Sequence, residues 1–189
     1  MKVYRIRNDV NHYQYFLTER DADAFKLRMD CVPVADKWDP PPVFIFKPKH
    51  KKGDFFQFNS DILITSPRAT EVLRTHLEMA GELLPLPYQG QEFTVLNVTE
   101  CINCLDYQNT EWMYDEQSGV ALWPTKYAFL SNRFTESMLF KIPETSRSEI
   151  LVVEGLHEPN EEFRAVVQQA GLEGLIFEEI WSDDNPIRC

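Results

Sequence analysis

The sequence predicts a compact α+β fold, on three observations. Strand-like and helix-like segments mix along 189 residues, a length that suits a single domain of residues 1–189. A strand–helix–strand order occurs twice, at about residues 61–88 and 149–181. No Gly- or Ser-rich linker separates the two units, so we expect two sub-lobes, at about residues 1–95 and 96–189, to pack together.

The first unit contains the clearest helix, in "SPRATEVLRTHLEMAGE". Ser66 is the expected N-cap, and Pro67 suits the first helical position. Gly81 marks the expected end. The strand "DILIT" precedes this helix and the extended segment "LLPLPY" follows it. The spacing predicts one apolar face, formed by Ala69, Val72, Leu73, Leu77 and Ala80.

The second unit repeats this order. "SEILVVEG" and "LEGLIFEEIW" are typical of strands, the latter with a break at Gly174. Between them, "EPNEEFRAVVQQAG" predicts a helix that ends at Gly171. Its expected apolar face consists of Phe163, Val166, Val167 and Ala170.

The remaining segments predict strands and one short helix. "HYQYFL", "VFIF" and "FTVLNVT" are apolar and rich in aromatic or β-branched residues, which favours strands. A turn at residues 117–119 predicts a hairpin whose second strand is "GVALW". "TERDADAFKLRMD" predicts a short helix capped by Thr18.

Charge is distributed unevenly along the chain, whose net charge is −11. Residues 136–184 contain 12 acids against three bases, a balance of −9. Such an acidic body repels nucleic acid and anionic membranes and attracts basic proteins; the simpler interpretation is that it keeps the protein soluble. Charge alone predicts six acids as partner-binding residues: Glu161, Glu162, Glu178, Glu179, Asp183 and Asp184.

The stretch "VTECINCLD" contains Cys101-x-x-Cys104, a spacing found in redox sites and in zinc sites. A redox pair normally opens a helix, whose N-terminus lowers the thiol pKa, but this pair follows a β-rich segment. A structural zinc needs four ligands, and no second paired spacing of Cys or His is present. The sequence therefore favours plain buried thiols, with neither a metal nor a cofactor.

Catalytic motifs are absent from the sequence. It contains no HExxH, no GxSxG and no phosphate-binding glycine loop. Neighbouring acids such as Glu178-Glu179 favour a solvated surface, because acid–base catalysis needs two carboxylates in different environments. "KPKHKKGD" predicts an exposed basic loop. The first residues lack the apolar core of a signal peptide and no run is long enough to span a membrane, so we expect a reducing cytoplasm.

Three segments carry a resemblance to a known family: "FTVLNVTECINCLD", "LFKIPETSRSEILVV" and "AGLEGLIFEEIW". With the order of the other elements, they resemble the immunity protein 11 family of bacterial polymorphic toxin systems. The resemblance covers most of the chain and is strongest from about residue 61 to 181. It implies that Cys104, within the shared "LNV…CLD" pattern, is a packing residue and that Cys101 lies outside the pattern. It implies that Asp106 orders a turn.

The function that the resemblance implies is neutralisation of a cognate toxin in the bacterial cytoplasm. Such toxins are often delivered by contact-dependent or type VI secretion, and many are basic nucleases. Stoichiometric binding would occlude the toxin, and no catalysis is involved. The family supplies no binding residues and no oligomeric state.

Two alternatives stay open at this stage. The first is a small enzyme that uses Cys101 and Cys104, or a carboxylate pair, in a pocket between lobes. The second is a housekeeping protein-interaction module with no toxin partner.

Overall fold

The computed structural model describes residues 1–20, 29–58 and 62–183. Within these ranges the chain is mainly β, which agrees with the predicted α+β class only in its coarse form. The helices are α1, Pro67–Ala80, and α2, Phe163–Gln169. The strands are β1 Lys2–Asn8, β2 Tyr15–Thr18, β3 Val43–Phe46, β4 Phe55–Gln57, β5 Leu63–Thr65, β6 Gly81–Tyr88, β7 Gln91–Val98, β8 Glu111–Tyr114, β9 Ala121–Lys126, β10 Leu139–Phe140, β11 Leu151–Glu154 and β12 Leu175–Ser182. The short helix expected from Thr18 falls largely on residues 21–28, outside the described residues.

The strands form two four-stranded sheets and two separate hairpins. The first sheet has the order β10-β11-β1-β12, and the second has the order β4-β5-β7-β6. All neighbouring strands in both sheets are antiparallel. The hairpins are β2–β3 and β8–β9, and the second of these is the one predicted around the turn at 117–119.

Both predicted strand–helix–strand units are present, as β5–α1–β6 and β11–α2–β12. In each unit the two strands are parallel to each other, because both pair antiparallel with one strand lying between them. That middle strand is β7 in the first unit and β1 in the second. Strand pairing therefore does not follow the suggested division between residues 1–95 and 96–189: β1 belongs to the sheet of the second unit, and β7 runs across residue 95.

Helix α1 begins as predicted. The Ser66 side chain accepts a hydrogen bond from the backbone N–H of Ala69 at 3.1 Å, and Pro67 follows the cap. The predicted apolar face needs one correction, because Val72 is 39% exposed. Thr70 is buried in its place, where its hydroxyl is satisfied by the Thr65 hydroxyl at 2.6 Å. The buried residues are Ala69, Thr70, Leu73, Leu77 and Ala80.

The two glycines predicted to end the helices act differently. Gly171 has φ +59°, the left-handed conformation expected after α2. Gly81 instead has extended backbone, with φ 166°. Position 81 requires glycine for a steric reason, because a Cβ atom there would lie 1.9 Å from the backbone oxygen of Asn97 on β7. The chain therefore passes directly from α1 into β6.

Each sheet is buried on both faces, which explains its apolar strands. One face of each sheet contacts the helices in a shared central core, to which Leu63 and Leu96 of the second sheet and Tyr4 and Val152 of the first contribute. The outer face of the second sheet packs beneath the β2–β3 hairpin. The outer face of the first sheet packs beneath residues 102–134, with buried Cys104, Leu105, Tyr127, Phe129 and Phe140.

Candidate interaction surface

The acids on and after β12 that the sequence predicts to bind a partner lie beside cations at the start of the chain, on and before β1. This pairing arises because β1 is the antiparallel neighbour of β12. The contacts join Arg7 to Glu178 at 3.2 Å, Lys2 to Glu179 at 2.9 Å and the amino group of Met1 to Asp183 at 2.6 Å. These three acids are therefore exposed but locally neutralised. Asp184 lies outside the described residues.

The other two acids predicted to bind a partner, Glu161 and Glu162, differ in burial. Glu161 is exposed at the start of the α2 region. Glu162 is only 5% exposed, and its carboxylate accepts hydrogen bonds from the backbone N–H groups of Gly155 at 2.8 Å and His157 at 3.1 Å. Glu162 is therefore buried and not an exposed acid like Glu161, and its carboxylate holds the turn between β11 and α2.

The two cysteines of the CxxC occupy different environments. Cys104 is fully buried, and burial raises the pKa of its thiol to about 12. Cys101 is half-buried, and Cys31 and Arg147 lower the pKa of its thiol against the opposing effect of desolvation. Within residues 1–20, 29–58 and 62–183, no three or more His, Cys, Asp or Glu side chains are grouped so that they could hold a metal ion. Asp106 orders a turn, as the resemblance implies, by accepting hydrogen bonds from residues 108 and 109.

A cavity of about 340 Å³ lies between β1, the second sheet and the β8–β9 hairpin. Its polar lining includes Arg5, Arg7, Asn8 and Glu149, and Trp123 of β9 also contributes to the wall. None of the residues named for the enzyme alternative lines this cavity among those the structure describes.

The ionisable groups of this cavity are engaged with one another. The Arg5 guanidinium is 2.5 Å from the Glu149 carboxylate, and both side chains are nearly buried, at 13% and 9% exposed. The Tyr127 hydroxyl donates to the same carboxylate at 2.6 Å. Desolvation raises the pKa of Glu149, against the opposing effects of Tyr127 and Arg5. The arrangement is a structural ion pair with its hydrogen bonds largely satisfied.

Among the described residues, the largest group of exposed apolar side chains on one element lies on the β8–β9 hairpin. Four of them, Met113, Tyr114, Val120 and Leu122, are between 49% and 57% exposed. We call these four the hairpin surface. Scattered exposed apolar residues are ordinary, but several together on one small element are typical of a contact surface.

The hairpin is an ordered element. Its turn is closed by the Asp115 carboxylate, which accepts a backbone hydrogen bond from Ser118 at 2.7 Å and another from Gln117 at 3.2 Å. The hydrogen bond from the Ser118 hydroxyl, together with these two backbone bonds, lowers the pKa of Asp115. Gly119 supplies the left-handed residue at φ +67°. The hairpin surface is therefore presented by a defined backbone.

Two residues of the hairpin, Trp112 and Pro124, attach it to the body of the protein. Trp112 packs against the core beneath the first sheet and stacks on Tyr107 with ring centroids 5.5 Å apart. The Tyr107 hydroxyl donates to Glu144 at 2.5 Å, which raises the pKa of Tyr107 to about 12. Trp112 and Pro124 are cross-strand partners, and Pro124 is buried. The hairpin is thus fixed to the body at Trp112 and Pro124, while the four side chains of the hairpin surface are exposed.

The hairpin, except for its last residue Lys126, lies in the longest part of the chain without a base. Residues 77–125 contain eight acids and no Lys, Arg or His. Of these, Asp115 and Glu116 lie at the hairpin turn, and Glu111 pairs with Lys126 at 3.1 Å. Counting acids and bases from residue 136 onward missed this segment. The absence of bases between His76 and Lys126 is the sequence signal that could have identified this segment.

No protein-family model matches the chain, and no curated protein matches it. Among the described residues, no helix is both long enough and apolar enough to cross a membrane.

Proposed function

We propose that this chain is a non-enzymatic immunity protein, which binds a cognate bacterial toxin and neutralises it by stoichiometric occlusion. The observation that carries the proposal is the hairpin surface, a group of four exposed apolar side chains on an ordered hairpin in a base-free segment. Membership of the immunity protein 11 family, a bacterial cytoplasmic location and a toxin delivered by type VI or contact-dependent secretion all belong to this proposal.

The composition of the hairpin surface supports binding to a protein. Tyr and Met are enriched in the cores of protein interfaces, and a few large side chains supply most of the binding energy. An ordered hairpin supports tight binding because little conformational entropy is lost when it docks. The closed Asp115 turn provides that order.

Charge supports a basic partner. Two acids of the base-free segment, Asp115 and Glu116, lie at the turn of the hairpin, next in the chain to Tyr114 of the hairpin surface. The net charge of −11 gives the whole protein a negative electrostatic field as well. Complementary charge speeds association and rejects partners of the wrong sign. A basic toxin, with its catalytic cleft covered by the hairpin, satisfies both the apolar and the charged features.

A co-expression assay tests this proposal. The toxin candidate is the product of the reading frame next to the gene for this chain, expressed from an inducible promoter. We expect this chain, expressed from a second plasmid, to restore growth, and we expect a one-to-one complex by size-exclusion chromatography with light scattering. Toxicity that persists with abundant folded protein and no complex would favour the housekeeping interaction module instead.

The enzyme alternative has a separate test. It requires turnover, so one molecule of this chain should inactivate many molecules of toxin or remove its product. We expect protection to stop at the molar equivalence point when the purified toxin is titrated with this chain. Protection at a small fraction of equivalence would establish catalysis and reject occlusion.

A further inference from the structure

We propose that the β2–β3 hairpin and the loop that follows it form a binding site for single-stranded nucleic acid. The site lies on a different hairpin from the one that carries the hairpin surface, and the inference does not depend on the proposed function. Three features of this region carry it: aromatic rings on the outer side of the hairpin, an ordered loop rich in lysine, and a cavity beside that loop.

The outer side of the β2–β3 hairpin presents three aromatic rings. Successive residues of a strand face opposite sides, and Phe16 and Val43 face the core beneath the hairpin. Phe44 and Phe46 therefore face outward, where each is 40% exposed. Tyr15 is the cross-strand partner of Phe46, with ring centroids 5.3 Å apart. Because every base has a π-face, such rings provide stacking positions for unpaired bases.

Positive charge follows these rings directly in the chain. Residues 40–53 contain four lysines and one histidine, and neither Asp nor Glu. We call residues 47–52 the lysine loop. Nζ of Lys47 lies 5.8 Å from the ring centroid of Tyr15, and Nζ of Lys51 lies 5.9 Å from that of Tyr13. These are cation–π distances, so the ammonium groups lie beside the rings and can contact the phosphates of a strand that stacks there.

The lysine loop has a fixed backbone. The Gln14 side chain donates to the carbonyl oxygens of Pro48 at 2.8 Å and His50 at 3.1 Å. The backbone N–H of Lys51 donates to the His12 carbonyl at 3.0 Å, and the backbone N–H of Gln14 donates to the Lys51 carbonyl at 2.9 Å. A loop that is already ordered loses little conformational entropy when a ligand binds.

A cavity of about 380 Å³ adjoins the lysine loop. Lys52 and Pro48 of the loop contribute to its wall, together with Tyr88, Gln89 and Gln91. No Asp or Glu is among the described residues that line it. Its volume is in the range of small-ligand pockets, and amide and lysine side chains can hydrogen-bond to base edges and phosphates. The cavity therefore suits a base that is turned out of the stack.

The acidic character of the chain does not exclude this contact, because the fold separates the charges. The β2–β3 hairpin packs on the outer face of the second sheet, whereas Glu178, Glu179 and Asp183 lie on or after β12 of the first sheet. Those three acids also have cations beside them. Exposed charges that are more than about 10 Å apart are largely screened at 0.1 M salt. We therefore expect binding that depends strongly on salt.

An anionic membrane is the competing occupant of a surface with lysines and aromatic rings. The rings of this site lie along the side of a hairpin and next to a cavity, which suits separate bases better than a flat layer of lipid headgroups. Duplex nucleic acid fits less well, because its bases are already stacked on one another. The arrangement thus favours a single strand.

The test measures fluorescence anisotropy of labelled oligothymidylate and oligouridylate, each about 12 nucleotides long, with the full chain at a series of salt concentrations. We expect binding at low salt that is tighter than binding of a duplex of the same length. The logarithm of the association constant should fall against the logarithm of salt concentration with a slope of about −3, because four lysines each contribute about 0.7. No binding, or equal binding of single strand, duplex and labelled polyaspartate, would overturn the proposal.

A ring variant separates stacking from charge. Phe44→Ser with Phe46→Ser should weaken binding of the single strand at least about tenfold and leave the salt slope unchanged. Val72→Ser with Met79→Ser, at exposed apolar positions of α1, is the matched control and should bind like the parent protein. Circular dichroism checks that each variant is folded. Unchanged affinity in the folded ring variant would contradict the role of the rings.

A lysine variant tests the loop. Lys49→Gln with Lys52→Gln should reduce the salt slope by about 1.4, which is two contributions of about 0.7. Arg74→Gln with Lys126→Gln removes two exposed cations elsewhere, changes the net charge equally and should keep the parent slope. Vesicles of phosphatidylcholine and phosphatidylserine test the competing occupant in a co-sedimentation assay. Binding to these vesicles without binding to the oligonucleotides would overturn the proposal and assign the surface to a membrane.

Discussion

The amino group of Met1 lies 2.6 Å from the carboxylate of Asp183, so the start of β1 is paired with the residue that follows β12. The same two strands bring Lys2 to Glu179 and Arg7 to Glu178. Acids of the C-terminal acidic stretch therefore have cations from the start of the chain beside them in the fold. The acidic C-terminal stretch is, in this region, half of a mixed-charge surface.

Charge reversal of these acids should accordingly affect the fold more than binding. The triple variant Glu178→Lys, Glu179→Lys, Asp183→Lys places like charges beside β1, so we expect a lower melting temperature. The loss should shrink at high salt because exposed charges are screened. Thermal unfolding followed by circular dichroism measures it. Glu92→Lys with Glu158→Lys, at exposed acids away from β1, is the control and should change the melting temperature little.

The buried ion pair beside the cavity gives a second prediction. Arg5→Ala leaves the Glu149 carboxylate nearly buried without its cation, and we expect a loss of about 3–5 kcal/mol in the free energy of unfolding. Replacing both residues by Leu should restore much of that loss, because no buried charge then remains. Urea unfolding compares the variants. If Arg5→Ala is as stable as the parent protein, the pair contributes nothing and the description of this cluster is wrong.

Helix α1 offers a matched pair of valine and leucine positions. Leu73 is fully buried in the central core, whereas Val72 is 39% exposed. We expect Leu73→Ala to cost about 2–4 kcal/mol through lost burial and cavity formation, and Val72→Ala to cost less than about 0.5 kcal/mol. Chemical denaturation provides both values. Equal losses would show that the helix is rotated relative to the structure described above.

The Glu82 carboxylate predicts a dependence of stability on pH. Desolvation alone would raise its pKa, but the hydrogen bonds from Val34, Asn97 and Ala35 outweigh this and lower the pKa below the ordinary 4.5. A lowered folded-state pKa stabilises the fold above the unfolded pKa, and this contribution is lost as the pH falls through the folded value. We expect Glu82→Gln to cost about 1–2 kcal/mol at pH 7.

The pH series supplies the check on this carboxylate. The difference in unfolding free energy between the parent protein and Glu82→Gln should be full above pH 4.5 and should narrow below it, as the parent carboxylate becomes protonated. Urea midpoints at successive pH values measure the difference. If the difference in unfolding free energy stays constant down to the lowest pH at which the protein folds, the hydrogen bonds do not depend on the charge of Glu82.

Local patterns in the sequence predicted local structure well. The cap at Ser66, the end of α2 at Gly171 and the hairpin around residues 117–119 each depend on neighbouring residues, and each is present. The prediction that Val72 belongs to the apolar face was wrong, because the apolar spacing predicts a wider face than the one that the helix buries. Polar Thr70 is buried because a hydroxyl from β5 satisfies it, a contact that periodicity does not contain.

The candidate sites depend on pairings between distant residues, which the sequence does not display. Only the insertion of β1 between β11 and β12 reveals that Glu178 faces Arg7. Similarly, the spacing of Cys101 and Cys104 is visible in the sequence, but the full burial of Cys104 and the partial exposure of Cys101 are not. Glu162 was assigned to the surface because its charge was visible and its backbone partners were not.

The central claim is that the hairpin surface is the interface with a basic toxin. Its most direct measurement is the affinity for a catalytically inactive form of the neighbouring toxin, determined by calorimetry. Met113→Ser with Leu122→Ser should weaken binding at least tenfold, about 1.4 kcal/mol, because large side chains at interface centres dominate affinity. The control, Val72→Ser with Met79→Ser, removes apolar side chains that are 39% and 43% exposed on α1 and should bind like the parent protein. If the folded hairpin variant binds with unchanged affinity, the hairpin surface is not the interface.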